Sequence, residues 1–281
     1  MVKNKRKYPK VERKHGEILG IKISITNKGE VLNFINSRLD SKEKFFVVTP
    51  NPENLLLATK DWLLEKAIRK SDLSIPDGIG LKFAYKYLHN QNIEIIKGRE
   101  LFLDVMEIAD KRKLRVYLFG GEHGESQKAK EELERKYKNI TFKTNIEFPQ
   151  YNRNAQPISE NDRKLHKRIL GGIKLFEADL IIVALNTPKQ EKWIFRNLYR
   201  ILNVTGAFAL GGTFNYVAGN MKLPPKWMEK LGLEWVYRFL QEPKRWKRIF
   251  NAVIIFPWKV FVWKLKAPEN RKLEFTAKKK V

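Results

Sequence analysis

Asp77 stands between Pro76 and Gly78, just after a short apolar run. A carboxylate at such a turn can take a proton from an incoming hydroxyl, the work of a general base. The same carboxylate could instead cap a helix beginning near Gly80, because Asp-Gly is also ordinary turn chemistry. Thr49 and Asn51, set in a turn by Pro50 and Pro52, offer a hydroxyl and an amide for positioning a substrate. Gly120 and Gly121, with Gly124 before a helical pattern, suit close approach of a phosphate to backbone N–H groups. No G-x-G-x-x-G dinucleotide fingerprint is present there. Pro188-Lys189-Gln190-Glu191 opens a further helix and puts donors and acceptors at its start, or is simply a charged first turn.

These groups share one kind of position. Five times a short apolar stretch ends in a tip containing Gly, Pro or Asn and runs into a helical pattern. The tips begin at Val48, Ile75, Phe119, Leu185 and Leu210. Strands are expected at 18–25, 44–48, 72–75, 114–119, 140–144, 180–185 and 207–210. Helices are expected at 28–39, 52–71, 80–89, 99–113, 126–137, 160–177 and 189–202, with Leu103, Met106 and Ala109 on the inward stripe of the fourth. Alternating units of this length predict an α/β fold with a doubly wound, mostly parallel Rossmann-like sheet. Ligands of such sheets bind outside the carboxyl ends of the strands, so the five tips read as the wall of one cleft.

Charge divides the chain further. The 281 residues carry a net charge of +25, with seven Lys/Arg against one Glu in residues 1–15 and sixteen against five in residues 222–281. Basic ends call for a polyanionic partner: an anionic membrane, a phosphate-bearing substrate or nucleic acid. Beyond residue 226 lie five of the seven Trp. There Trp246, Ile249, Phe250 and Val253 follow helical spacing, with Lys and Arg on other faces. The apolar run 252–263 is interrupted by Pro257 and Lys259 and is too short to span a bilayer, so it lies on a membrane or packs on the core. The organisation read from this is a basic arm over 1–15, an α/β domain over 16–219, a membrane-associating helical appendage over 220–270 and a basic tail over 271–281. There is no cysteine, which removes disulfides and thiolate chemistry. The first residues lack the apolar core of a signal peptide.

Thr49-Pro-Asn-Pro-Glu-Asn54, Pro76-Asp77-Gly78-Ile79-Gly80, Phe119-Gly120-Gly121, Pro188-Lys189-Gln190-Glu191, Gly211-Gly212-Thr213-Phe214 and Gly232-Leu-Glu-Trp-Val-Tyr-Arg238 occur in this order. Together with Glu242-Pro243 and Arg245 to Arg248, the set resembles the WecG/TagA/CpsF family of bacterial glycosyltransferases over about residues 18–250. The resemblance implies transfer of an N-acetylhexosamine such as N-acetylmannosamine, or its uronic acid, from a UDP-sugar to a polyprenyl-diphosphate-linked GlcNAc, in teichoic acid or other cell-surface polysaccharide synthesis. It implies a peripheral enzyme at the cytoplasmic face of the cell membrane. The catalytic aspartate falls on Asp77, the active-site threonine on Thr49 and the glutamine on Gln190. The appendage arginines fall on Arg238, Arg245 and Arg248.

The chain also departs from the family pattern. Ile95 stands where an Arg is usual, with Lys97 and Arg99 nearby as substitutes. Asn186 replaces a Gly, Asn215 an Asp, and Leu223-Pro224-Pro225 an Arg-Ala-Pro. The expected chemistry is metal-independent inverting transfer with no cofactor, and a homo-oligomer stays open. The rival readings are an inactive family member, a basic nucleic-acid-binding protein and a nucleotide-dependent oxidoreductase on the same fold.

Overall fold

The computed structural model describes residues 14–266 except 122–123, 202, 242 and 244–245. The predicted basic arm up to residue 13 and the basic tail from 267 lie outside the described residues. At Lys14 the chain is already in a strand. The predicted strand over 18–25 proves to be a hairpin, β1 (Lys14–Ile18) against β2 (Ile21–Ile25), turning at Leu19 and Gly20. Leu19 takes a left-handed φ of 53° there.

The main sheet has six parallel strands in the order β4-β3-β8-β7-β5-β6: β3 (Phe45–Val48), β4 (Leu73–Ser74), β5 (Arg115–Gly120), β6 (Thr141–Lys143), β7 (Leu180–Ala184) and β8 (Gly206–Ala209). The central strands are apolar throughout because both faces are covered. Successive residues feed opposite cores. Phe46, Val48, Tyr117, Phe119, Ile181 and Val183 enter one core, and Phe45, Val47, Val116, Leu118, Leu180 and Ile182 the other. Connections leaving β3 and β5 run to opposite edges of the sheet. The hairpin guards the β4 edge, where Ser74 N–H donates to Ser24 Oγ at 2.9 Å.

Helices α1 (Lys28–Ser41), α2 (Pro52–Ala58), α3 (Trp62–Lys70), α4 (Ile79–His89), α5 (Gly98–Arg112), α6 (Glu125–Lys136), α7 (Glu160–Phe176), α8 (Lys189–Asn197) and α9 (Thr213–Val217) cover the two faces. The stretch expected as one helix over 52–71 divides into α2 and α3. Asp61 Oδ1 accepts the Leu64 N–H at 3.1 Å and starts a new helix, which competes with continuing the old one. In α5 the inward stripe is Leu101, Phe102, Val105, Met106 and Ala109. Leu103, expected inward, is exposed, about 100° off that stripe.

The appendage consists of α10 (Lys226–Lys230), α11 (Glu234–Gln241), α12 (Trp246–Phe250) and α13 (Phe256–Leu265). A π-helical turn at Asn251–Ile255 joins the last two into one rod. Phe256 and Val260 are buried in the main core. Among the described residues, no helix is long and apolar enough to cross a membrane.

Candidate active site

Because all six strands are parallel, their tips meet at one edge of the sheet. Asp77 N–H donates to Pro50 O at 2.9 Å, which ties the β4 tip to the β3 tip. The Asp77 side chain does not cap α4; Gly78 stands there at φ 102° with no side-chain cap. Its Oδ2 instead accepts the N–H of Gly98, the first residue of α5, at 3.1 Å. A Cβ on Gly98 would lie 3.1 Å from Thr49 Oγ1, 3.3 Å from Leu210 Cδ2 and 3.4 Å from Asp77 Oδ2. The bare glycine therefore lets three tips close around one point. Thr49 and Asp77 are both partly exposed there. Asn51 serves the helix that follows it, since its Oδ1 accepts Asn54 N–H at 3.0 Å and caps α2.

The β7 and β8 tips are packed more tightly. Gln190 is buried, and its Nε2 donates to Glu191 Oε1 at 3.0 Å. A Cβ on Gly211 would meet Gln190 Oε1 at 2.3 Å, so the amide lies directly on the glycine backbone. Thr187 Oγ1 donates to the same Glu191 oxygen at 2.8 Å. Gln190 Oε1 and Glu191 Oε2 are buried without a hydrogen-bond partner. Burial pushes the Glu191 carboxyl up from the usual carboxylate range, against hydrogen bonds that pull it down. Lys192 is buried too: its Nζ bonds Asp61 Oδ2 at 2.7 Å, Arg153 O at 3.0 Å and Asn154 Oδ1 at 3.1 Å. The Pro-Lys-Gln-Glu segment is thus mostly interior architecture, with Gln190 packed on Gly211 of the β8 tip.

Gly120 and Gly121 need their φ of 98° and 86°, as the sequence suggests for a phosphate loop. The Gly121 N–H, however, donates to Ala184 O at 2.8 Å and extends the sheet. Gly124, at the N-cap of α6, has no side-chain cap. Ile95 packs partly buried against the core. Asn186, at the position of a family Gly, adopts φ 60°, a conformation Asn tolerates better than most residues. Asn215 Oδ1 accepts Asn220 Nδ2 at 3.2 Å.

The appendage folds back over these tips. Gly232, at φ 72°, is where it comes close: a Cβ there would lie 3.2 Å from Ile79 Cγ2, two residues past Asp77. Four charges clamp it. Arg99 NH1 donates to Glu234 Oε1 at 2.8 Å and Arg99 NH2 pairs with Glu229, while Lys97 Nζ lies 3.1 Å from Glu234 Oε2 and 3.3 Å from Glu229 Oε2. Lys97 and Arg99, the substitutes the sequence offers for the family Arg at Ile95, hold the appendage down. Arg248 Nε reaches Glu53 Oε1 and Oε2 at 3.0 and 2.8 Å, on the first turn of α2. Arg245 lies outside the described residues, as does the side chain of Arg238. Among the described residues, no group of three or more His, Cys, Asp or Glu is placed to hold a metal ion.

The model of the glycosyl transferase WecG/TagA/CpsF family matches residues 16–270. The chain belongs to this family of hexosyltransferases. A relative from Bacillus subtilis strain 168, an N-acetylglucosaminyldiphosphoundecaprenol N-acetyl-beta-D-mannosaminyltransferase, is 31% identical over 215 residues, covering 76% of this chain and 78% of that protein. One of the same name from Staphylococcus aureus strain MW2 is 30% identical over 248 residues, covering 87% and 91%. The α/β architecture expected from the alternating strand and helix patterns is the one observed. Gly98 and the Glu229–Glu234 pair have no such signal in the sequence. A glycine opening a helix and two glutamates in the appendage carry no chemical signature until the fold brings them to the tips.

Proposed function

We propose that this protein is an inverting glycosyltransferase moving an N-acetylmannosamine-like N-acetylhexosamine, or its uronic acid, from a UDP-sugar to a polyprenyl-diphosphate-linked GlcNAc. The observation that carries the reading is the convergence of Thr49 and Asp77 on Gly98 at the carboxyl edge of the sheet. The names of the relatives supply the sugar and the acceptor class.

In this reading Asp77 takes the proton of the acceptor hydroxyl. The freed oxygen bonds to the anomeric carbon from the face opposite UDP. The anomeric C–O bond breaks and UDP leaves with the electron pair. Thr49 and Gln190 position sugar or acceptor. The charge that grows on the leaving diphosphate is met by appendage arginines and the helix-opening loop at Gly124. Asn51 and Gly121 act by shaping the tips, since their hydrogen bonds go to α2 and β7.

The appendage brings the site to the membrane. Trp246, Phe250, Ile254, Trp258, Phe261 and Leu265 are all exposed. Successive members are three or four residues apart, so they form one stripe along the α12–α13 rod. Opposite it, Phe256 and Val260 fasten the rod to the core. Interfacial Trp among Lys and Arg suits an anionic leaflet.

The test is release of UDP from a panel of UDP-sugars, with and without a lipid-diphosphate-GlcNAc acceptor, for wild type and Asp77→Asn. Acceptor-dependent release that the variant loses supports the reading. UDP binding with no release from any donor would overturn it in favour of an inactive relative.

A further inference from the structure

A second concavity lies beside the tips, between α2 and the α12–α13 rod. It is a cleft of about 260 Å³. Leu56 and Leu57 form one wall, Ile255, Val262 and Trp263 the other, and the hairpin residue Leu19 the floor. Lys60, Lys259 and Lys266 stand around this apolar lining. Glu53 lines the cleft as well, and Glu53 is the residue that holds Arg248. Glu53 lies two residues past Asn51 on the β3 tip, so its end of the cleft is the one nearer the tips.

The other side of the cleft faces the exposed stripe. At about 100° per residue, Ile255, Lys259 and Val262 occupy a helix face between that stripe and the buried Phe256–Val260 face. A chain entering from a bilayer under the stripe would pass directly into the cleft. An apolar trough with cationic edges matches an apolar chain that ends in an anionic group. It does not match a sugar, which would leave the leucines unused.

We propose that this cleft binds the first isoprene units of the lipid-linked acceptor, with their diphosphate beyond the Glu53–Arg248 pair, toward the tips. The assignment rests on the acceptor class proposed above. It places the lipid on the α2 side of the tips and leaves the opposite side, toward Gly124, for the nucleotide. No covalent step is involved: the cleft orients the acceptor so that its sugar hydroxyl points back at Asp77.

A benzophenone-bearing farnesyl diphosphate photoprobe tests this on the full chain, without sugar donor or turnover. Cross-links mapped by mass spectrometry are expected on Leu56, Leu57, Val262 and Trp263. Excess farnesyl diphosphate should suppress them, and inorganic diphosphate should not. Val262→Trp, which fills the trough, should lower labelling about tenfold while UDP binding is retained; Leu57→Phe repeats the test from the opposite wall. Cross-links confined to Trp258 and Phe261, or labelling that farnesyl diphosphate does not suppress, would overturn the proposal. Labelling in the cleft together with a blank UDP-release panel would uphold the lipid site and remove the transferase reading. Turnover of lipid acceptors with no label in the cleft would do the reverse.

Discussion

Gly98 donates its N–H to Asp77 Oδ2 at 3.1 Å across 21 positions of chain. The carboxylate is thereby seated on the N-terminus of α5, not on the helix that follows it directly. In the proposed reaction its second oxygen meets the acceptor hydroxyl. Asp77→Asn keeps an acceptor for the Gly98 N–H and loses the base. The variant should melt like wild type and bind UDP, with transfer reduced about 10²- to 10⁴-fold. Turnover within a few-fold of wild type would remove Asp77 from the base role.

Gly98 itself separates stability from activity. An Ala there narrows the unfolded chain's freedom, a gain of roughly 0.4–1 kcal/mol where the backbone tolerates it. Its Cβ, however, would press on Thr49 Oγ1 at 3.1 Å and on Asp77 Oδ2 at 3.4 Å, so those groups must give. Gly98→Ala should leave the melting temperature unchanged or raised and lower kcat by about tenfold, because small displacements of reacting groups are costly. A loss of stability with kcat intact would contradict this account.

The clamp of Lys97 and Arg99 on Glu229 and Glu234 is partly shielded, with side chains 12–23% exposed. Replacing both glutamates by Gln should loosen the appendage while the α/β domain stays folded. Hydrogen exchange over residues 226–241 should rise in the variant. Raising the salt concentration should move wild type in the same direction, since ion pairs near the surface are screened. Unchanged protection in both cases would mean that apolar contacts such as Gly232 on Ile79 suffice.

Glu191 ties folding to pH. Its carboxyl is raised in the folded state, so the folded protein holds a proton that the unfolded chain releases at lower pH. The stabilisation this gives is complete below the ordinary carboxylate pKa and is lost as pH rises through the raised value. His166 acts oppositely: burial lowers it, so its contribution is lost as pH falls below the usual histidine range. Glu191→Gln keeps an oxygen to accept from Thr187 and Gln190 and removes only the titration. The difference between the variant's and the wild type's melting temperatures should grow in the variant's favour from acidic to neutral pH. Parallel curves would show that Glu191 stays in one protonation state.

The exposed stripe predicts membrane partitioning. Trp258→Ser with Phe261→Ser should reduce binding to phosphatidylglycerol vesicles by tenfold or more, at roughly 25 cal/mol per Å² of apolar surface withheld from the bilayer. Neither residue is buried in the core, so the fold should persist. Equal binding in a vesicle sedimentation assay would shift the anchor to the basic residues alone.

Much of the fold is legible in the sequence. Strands such as Leu180–Ala184 are apolar on every residue and stop at Asn, Gly or Pro, so their tips stand out with the reactive groups on them. The break at Asp61 is hidden because the apolar spacing runs on through it, and only the cap bond reveals the new start. Helical spacing marks Trp246 and Phe250 as one face. It does not say whether lipid or protein covers a face, and the core takes Phe256 and Val260 instead. Contacts such as Arg99–Glu234 join residues 135 positions apart and have no local signature.

Lys192 offers a use of its own. The chain is crowded with lysines, yet this one has 0% of its side chain exposed and three oxygens around its amine. An amine-acylating reagent will mark the surface lysines within the first exposure and pass this position by until the segment around it opens. The modification state of Lys192 is therefore a built-in clock for opening of the contact between α8 and the Asp61 and Arg153–Asn154 segments, readable by peptide mass mapping in a protein that has no thiol to serve that purpose.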